Sequence, residues 1–300
     1  MKNYNLVNLC VLLLQSLAWF TVIFLLHQDL NIMVKIGLGL FFCLMMQGVF
    51  SFMHECFHGS ANTNKKVNWF LGFWSSTLFG TAYTFFERNH EGHHVRNRTR
   101  PELVDYIFPD ESAAKKISIY YLAIFGGIWL GGLILPLICF FIPDRLKTSL
   151  AIDTKNNTYA EAFNQFSSGA WRLMKIETVL LLTFWISVIY IFNWDITILA
   201  TLYFFFAFSW SSLQWVYHVR TPIHRVEGAY NLRAPWLIRA LFLNFNYNLT
   251  HHRNSAIPWQ ELFSVSNQQE TQPLWHRYLR IFLPPQTMPK DIDKLEKTYF

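Results

Sequence analysis

Charge is scarce in this sequence. Only 15% of its 300 residues are Asp, Glu, Lys or Arg, and 52% are hydrophobic, whereas soluble domains carry about 25% charged residues. The net charge is +6, but no basic run interleaved with aromatic residues accompanies it, so nucleic acid is not an expected partner. A membrane protein with an excess of Lys and Arg on one face fits the composition better.

Cysteine pairs and cofactor fingerprints are also lacking. The four cysteines, Cys10, Cys43, Cys56 and Cys139, form no CxxC pair, which argues against a disulfide framework and a cysteine-ligated zinc site. The sequence has no GxGxxG segment, so a flavin or nicotinamide domain is not predicted. Any redox chemistry would therefore take its electrons from a separate protein.

Six uncharged runs dominate the chain instead. They are 6–26, 36–53, 67–86, 117–142, 178–194 and 196–217. A membrane-spanning helix needs about 20 apolar residues, so each run is a candidate span. The first run lacks a small-residue cleavage site, which indicates a span and not a signal peptide.

The distribution of Lys and Arg predicts that four of the runs cross. The predicted spans are 6–26, 36–53, 178–194 and 196–217. With these spans, 24 of the 25 Lys and Arg residues fall on one side, which is the cytoplasmic side by the positive-inside rule. Both termini and a polar cap are then cytoplasmic. The cap consists of 87–116, 143–177 and 218–300.

The two remaining runs, 67–86 and 117–142, are predicted to be interfacial or re-entrant. Glycine pairs at 126–127 and 131–132, with Pro136, would permit a bend in the second. The predicted fold is therefore an all-α integral membrane protein, a single domain over residues 1–300, with four transmembrane helices.

Histidines are unusually grouped. Eight of the eleven fall in four small groups, and the predicted topology puts all four on one membrane face. The groups are His54 and His58; His90, His93 and His94; His218; and His251 and His252. Spacings of three and four residues share a helix face, and neutral imidazole is a good ligand for iron and other late divalent metals. Because a structural zinc site is complete with four ligands, eight histidines suggest two metal ions.

Carboxylates offer a competing pattern. Glu55-x-x-His58 and Glu87-x-x-His90 match the motif of carboxylate di-iron bundles, but the uncharged runs supply no further glutamate apart from boundary residues such as Glu177. We therefore predict a histidine-rich site in which carboxylates orient ring N–H groups. The candidates for that role are Glu55, Glu87, Glu91 and Asp105.

The motifs resemble those of the integral-membrane fatty acid desaturases and their relatives, the hydroxylases, ketolases and alkane oxidases. The first two boxes of that family, HxxxH and HxxHH, are matched by His54-Glu-Cys-Phe-His58 and His90-Glu-Gly-His93-His94. The third is matched in part by Asn248-Leu-Thr-His251-His252, with Asn where many members have His. The resemblance also implies a ligand at the end of the last span, preceded four residues earlier by an amide, and His218 with Gln214 fits that place.

The resemblance implies an O2-dependent enzyme that binds two irons at these histidines. It would introduce a double bond into a fatty acyl chain carried by a lipid, CoA or acyl carrier protein, with electrons from a ferredoxin-like or cytochrome-like donor. Hydroxylation, ketone formation or alkene-forming decarboxylation on the same scaffold is the alternative. A histidine-rich metal transporter or a haem electron carrier is the alternative outside this class.

Several positions keep two interpretations at this stage. Asn248 is either a ligand, directly or through water, or a helix cap. His224 is either a replacement ligand or a surface residue of the cap. Arg96, Arg98 and Arg100 either contact the phosphate of a head group or acyl carrier or only contribute positive-inside charge.

Overall fold

The computed structural model describes residues 3–150, 166–266 and 272–288. Parts of the predicted cap, including Lys155, therefore lie outside the described residues.

The described chain is mostly helical, as predicted. The helices are α1 (Asn5–Leu26), α2 (Ile32–Phe57), α3 (Lys65–Phe79), α4 (Tyr83–Arg96), α5 (Ala113–Leu122), α6 (Ile128–Phe140), α7 (Ser168–Phe192), α8 (Ile196–Val216), α9 (Trp236–Leu241), α10 (Asn248–Arg253), α11 (Trp259–Val265) and α12 (Leu274–Arg280). Short 3-10 turns cover Arg100–Glu102 and Asp144–Leu150.

Two pairs of very short parallel strands were not predicted. The strands are β1 (Tyr106–Ile107), β2 (Leu232–Arg233), β3 (Gln272–Pro273) and β4 (Gln286–Thr287). β1 pairs with β4, and β2 pairs with β3. Each pair ties distant parts of the polar region together, and two-residue strands carry no periodic signal that a sequence could reveal.

Within residues 3–150, 166–266 and 272–288, five helical stretches are long and apolar enough to cross a membrane. Four of them, α1, α2, α7 and α8, contain or closely overlap the four predicted spans. The fifth, Ala113–Phe140, joins α5 and α6 through a π-helical turn in which Phe125 and Gly126 leave helical backbone angles. Gly126 has a φ of 117°, a conformation that glycine adopts at little cost. The break thus falls at a glycine where the sequence permits a bend, and we call this stretch the kinked segment.

Both ends of the kinked segment lie against the same end of the α7–α8 pair. Tyr120 belongs to one apolar cluster with Val216, the last residue of α8. Trp171, in the first turn of α7, donates its indole N–H to the carbonyl of Ile142, 3.1 Å away. Since α7 and α8 are joined by only three residues, the start of α7 and the end of α8 face the same side.

The run 67–86 is likewise two helices and not one. α3 ends at Gly80, which has a φ of 94°, and α4 begins three residues later. The two breaks meet inside the bundle, where Trp129 donates its indole N–H to the carbonyl of Phe79 (3.1 Å) and Thr81 donates to the carbonyl of Gly132 (2.7 Å). These contacts fix where α4 starts.

Glu177 of α7 fastens the start of α4. Its carboxylate accepts the backbone N–H and the hydroxyl of Thr84, both at 2.7 Å, and the indole N–H of Trp69 at 3.2 Å. The first N–H groups of a helix have no partner within it and favour a negative charge. Glu177 thus positions the helix that carries three box histidines.

Candidate metal centre

Four parts of the chain bring the eight box histidines together. His54 and His58 lie at the end of α2, and His90, His93 and His94 lie in the second half of α4. His218 follows α8 by two residues, and His251 and His252 lie in α10. All eight predicted histidines therefore converge.

The ring nitrogens form two groups, a division that the sequence does not show. The five-histidine group consists of His54, His58, His90, His94 and His251, and the three-histidine group consists of His93, His218 and His252. Within each group one nitrogen from every ring lies within 4.8 Å of the others. The groups adjoin, since the ring centroids of His94 and His252 are 4.6 Å apart.

Close approaches between Nε2 atoms characterise the five-histidine group. The Nε2 of His90 lies 2.9 Å from that of His58 and 2.9 Å from that of His94, which in turn lies 3.2 Å from the Nε2 of His251. A neutral imidazole carries one N–H, so protons on these atoms cannot satisfy every contact. A metal cation, which accepts a lone pair from each ring, fits this arrangement.

Burial keeps these imidazoles neutral. It lowers the pKa of His58 to about 4 and that of His94 to about 3. Burial also lowers the pKa values of His218, His251 and His252 well below the usual range, and the neighbouring histidines add to the shift. At neutral pH the rings can therefore offer lone pairs to a metal, as ligation requires.

Two acceptors orient the three-histidine group. The Nδ1 of His93 donates to Glu102, whose carboxylate is 2.7 Å away and only 8% exposed. The Nδ1 of His218 donates to the carbonyl of Gly228 at 2.9 Å. Each bond places the ring proton on Nδ1, so Nε2 remains available as the ligand atom.

Glu102 is an acceptor that the sequence interpretation missed. The predicted Glu55 instead accepts the backbone N–H of Trp259 at 3.2 Å, and Glu91 pairs with Arg88 at 2.5 Å. Glu55 and Glu91 each follow a box histidine by one residue, which turns them about 100° around the helix from it.

Glu87 and Asp105 also bond elsewhere. Glu87 lies 3.5 Å from the guanidinium of Arg88. Asp105 accepts from the guanidinium of Arg98 at 2.7 Å and from the backbone N–H of Arg220 at 2.6 Å. Asp105 thus stabilises the chain around His218 without touching its ring.

The three arginines after the second box are engaged within the protein. Arg98, which is 3% exposed, is bound to Asp105, and Arg96 is buried with its Nε 3.4 Å from Glu102. Arg100 pairs with Asp110 at 2.5 Å. Arg96 and Arg98 are buried, and Arg100 is the more accessible of the three.

Asn248 has an unsatisfied amide oxygen and adjoins both histidine groups, since it lines one cavity with the three-histidine group and a second cavity with His54 and His251. The residue is 4% exposed, and its Oδ1 is buried without a hydrogen-bond partner in the described part of the chain. The backbone N–H of Thr250, in the first turn of α10, is bound by Asn231 at 3.0 Å. His224 joins neither group of described histidines, and its Nδ1 accepts the backbone N–H of Glu227 at 2.9 Å.

A largely apolar cavity of about 200 Å³ adjoins the centre. Its aromatic walls include Phe50, Phe57, Phe86, Trp210, Trp215 and Phe245. All members of the three-histidine group line it, together with Gln214 and Asn248, whereas His90 is the member of the five-histidine group that does so. The three-histidine group is therefore the one turned towards the cavity.

These features define a helical protein with helices apolar enough to span a membrane and two histidine groups that could hold metal ions. The family described as fatty acid desaturase matches residues 31–284, and the chain belongs to this family. The resemblance drawn from the histidine boxes is thus confirmed. A comparison with curated proteins finds no match.

Proposed function

We propose that this protein is a di-iron, O2-dependent desaturase that introduces a double bond into a fatty acyl chain. The observation that carries the proposal is the junction between an aromatic-lined cavity and two adjoining histidine groups. An acyl chain suits such walls because burial of its methylenes is favourable. Membership of the family supports the substrate class.

The eight histidines are the proposed iron ligands. Imidazole donors suit iron, and two separate groups suit two ions. Bound iron would supply activation of O2 for removal of hydrogen from an unactivated C–H bond, with two electrons from a ferredoxin-like or cytochrome-like donor.

The protein's own part is to position the metal ligands and the substrate and to exclude competing reactions. Glu102 holds the ring of His93, and the Gly228 carbonyl holds the ring of His218. Both rings then offer Nε2 to the metal proposed for the three-histidine group. Phe86 and Trp210 line the cavity and keep water from its walls. Asn248 is proposed as a further ligand, directly or through water, because its amide oxygen is buried and unsatisfied and the residue adjoins both histidine groups.

The proposed topology has four spans, with both termini and the metal site cytoplasmic. The kinked segment is then re-entrant, which is supported by the contacts of both its ends with one end of the α7–α8 pair. Each of its arms is also too short to cross alone, since α6, with 13 residues, is about 20 Å long against a hydrocarbon core of about 30 Å.

Product analysis tests the reaction. The protein is expressed with a reductase system in a lipid-rich host, and fatty acids are analysed by mass spectrometry. A new C=C bond that disappears in His90→Ala and persists in His27→Ala is the expected result, because His27 bonds the backbone N–H of Asp195, far from the metal site. An alcohol, a ketone or a shortened terminal alkene would instead assign the alternative chemistry.

Metal analysis tests the cofactor separately. Purified protein is expected to contain close to two irons per chain. Stoichiometric zinc, with oxidase activity absent after iron loading, would contradict the proposal.

A further inference from the structure

An exposed apolar stripe runs along α12 and the residues just after it. Trp275, Leu279 and Leu283 are 64%, 59% and 49% exposed. Trp275 and Leu279, four residues apart in α12, share one helix face, and Leu283 follows in the turn just after the helix. Contiguous apolar faces of this kind mark interaction sites, and the stripe lies in the region that the sequence assigned to the cytoplasmic cap.

The other faces of α12 differ in polarity. Arg277 is buried, whereas His276 and Arg280 are exposed. Successive helical residues turn by about 100°, which places Trp275 and Leu279 between His276 and Arg280 on one flank and Tyr278 on the other. The stripe is thus an exposed apolar face between a polar flank and a flank that contacts α8.

The contacts of Phe282 show where the stripe lies along α8. Its ring centroid lies 6.4 Å from that of Phe208 in α8 and 6.2 Å from that of Phe125 in the kinked segment. The hydroxyl of Tyr278 also lies 3.0 Å from that of Ser212 in α8. The end of α12 therefore lies alongside α8 and not beyond its end.

The length of α8 allows the depth of Phe282 in the membrane to be estimated from these contacts. Its 21 residues give a length of about 31 Å, which only just spans a hydrocarbon core of about 30 Å. Phe208 lies about 12 Å before the end of α8. If α8 crosses, Phe208 and its neighbour Phe282 lie at the level of the acyl chains.

The exposed surface continues from α12 onto the kinked segment. Tyr121 donates its hydroxyl to the carbonyl of Phe282 at 3.0 Å, and the adjacent Leu122 and Phe125 are 67% and 55% exposed. These residues belong to a stretch that is itself apolar enough for a membrane. The same environment would thus cover both surfaces.

We propose that Trp275, Leu279 and Leu283 contact the acyl chains and interface of the membrane leaflet nearest the metal site. The end of α12 then lies within this leaflet alongside α8, and this part of the polar region is closed to an electron donor arriving from water. The proposal concerns a lipid contact surface and does not depend on the reaction that the metal centre catalyses.

Site-directed fluorescence quenching tests the proposal on the full chain in phosphatidylcholine vesicles. Cys10, the exposed free cysteine, is first replaced in Cys10→Ser, while the other three cysteines are buried. A small fluorophore is attached to Leu279→Cys and, as a matched control, to Arg280→Cys. The label at 279 is expected to be quenched severalfold more by lipids with a nitroxide on the acyl chain than by aqueous iodide, and the label at 280 should show the reverse.

If Leu279→Cys does not fold, the same quenching measurement is made with the label on Leu283→Cys. Equal iodide quenching at the stripe position and at 280 would place the stripe in water and overturn the proposal. Protection from both quenchers, with crosslinking between copies of the chain, would assign the stripe to self-association and overturn it equally.

Discussion

Asn248 is the residue at which this chain departs from the common third histidine box. An amide oxygen is a poorer iron ligand than imidazole, so the iron that Asn248 binds should be the more weakly held of the two. We expect Asn248→Ala to lower iron towards one per chain and to abolish turnover, and Asn248→His to restore the second iron. Iron stoichiometry of the purified variants measures this.

The matched control is Asn231→Ala, because Asn231 satisfies the backbone N–H of Thr250 in α10. Loss of a capping side chain costs about 1 kcal/mol, so this variant should melt at a lower temperature with its iron content unchanged. If Asn248→Ala behaved in the same way, with full iron, the ligand role would be rejected.

Glu102 provides a second residue-scale prediction. Removal of the acceptor behind a metal-bound histidine weakens metal binding by about 10- to 100-fold, so Glu102→Ala should lose iron to a chelator at correspondingly lower concentration. Glu102→Gln keeps an oxygen acceptor for His93 and should lose less. Chelator titration is the measurement.

Glu91→Gln serves as the comparison, since Glu91 bonds Arg88 and not a ring. Its iron affinity should match that of the unmodified protein. A purely structural role for Glu102 would instead lower the melting temperature of Glu102→Ala with iron retention unchanged.

At the scale of elements, the kinked segment carries the prediction on topology. Ser112 and Arg145 flank it and are exposed. Single cysteines at these two positions, in a background lacking reactive cysteines, should both be shielded from an impermeant thiol reagent in intact cells. A cysteine at Asp29, in the loop between α1 and α2, should be labelled from outside.

Labelling of only one of the two flanking positions would mean that the kinked segment crosses the membrane. The chain would then have five spans, and its two ends would have to part from the common end of α7 and α8. The length and hydropathy of the kinked segment do not distinguish a crossing from a re-entrant path, because neither quantity depends on the break at Gly126. The apolar cluster that Tyr120 shares with Val216 and the hydrogen bond from Trp171 to Ile142 favour the return path.

At the scale of the whole molecule, acid should destabilise the metal-free protein. The folded-state pKa values of His58 and His94, about 4 and about 3, lie below the usual value of about 6.5. The unfolded chain therefore binds more protons than the folded chain between these values, and the free energy of unfolding falls as the pH drops below about 6.5. The melting temperature of metal-free protein should be lower at pH 5 than at pH 7.

Bound iron should raise the melting temperature at neutral pH. The increase should shrink as the pH falls, because protons compete with the metal for the same ring nitrogens. A melting temperature independent of pH between 5 and 7 would contradict neutral, buried rings in the folded state.

The sequence by itself determined the helical class, the approximate helices and the identity of the eight histidines. These features depend on short-range patterns: uncharged runs of about 20 residues predict spans, and spacings of three and four residues predict a shared helix face. The motifs were also sufficient for the family, which the match over residues 31–284 confirms.

Only the tertiary structure decided how the histidines divide into groups of five and three, and which carboxylate serves them. His93 and His94 are adjacent in sequence, yet they contribute to different groups, because His94 meets histidines of α2 and α10 whereas His93 meets His218 and His252. Glu102 and Asp105 are both acidic residues shortly after the second box, and the fold of the intervening loop selects Glu102. Contacts of this kind depend on packing between segments distant in sequence, and a local pattern contains no information on them.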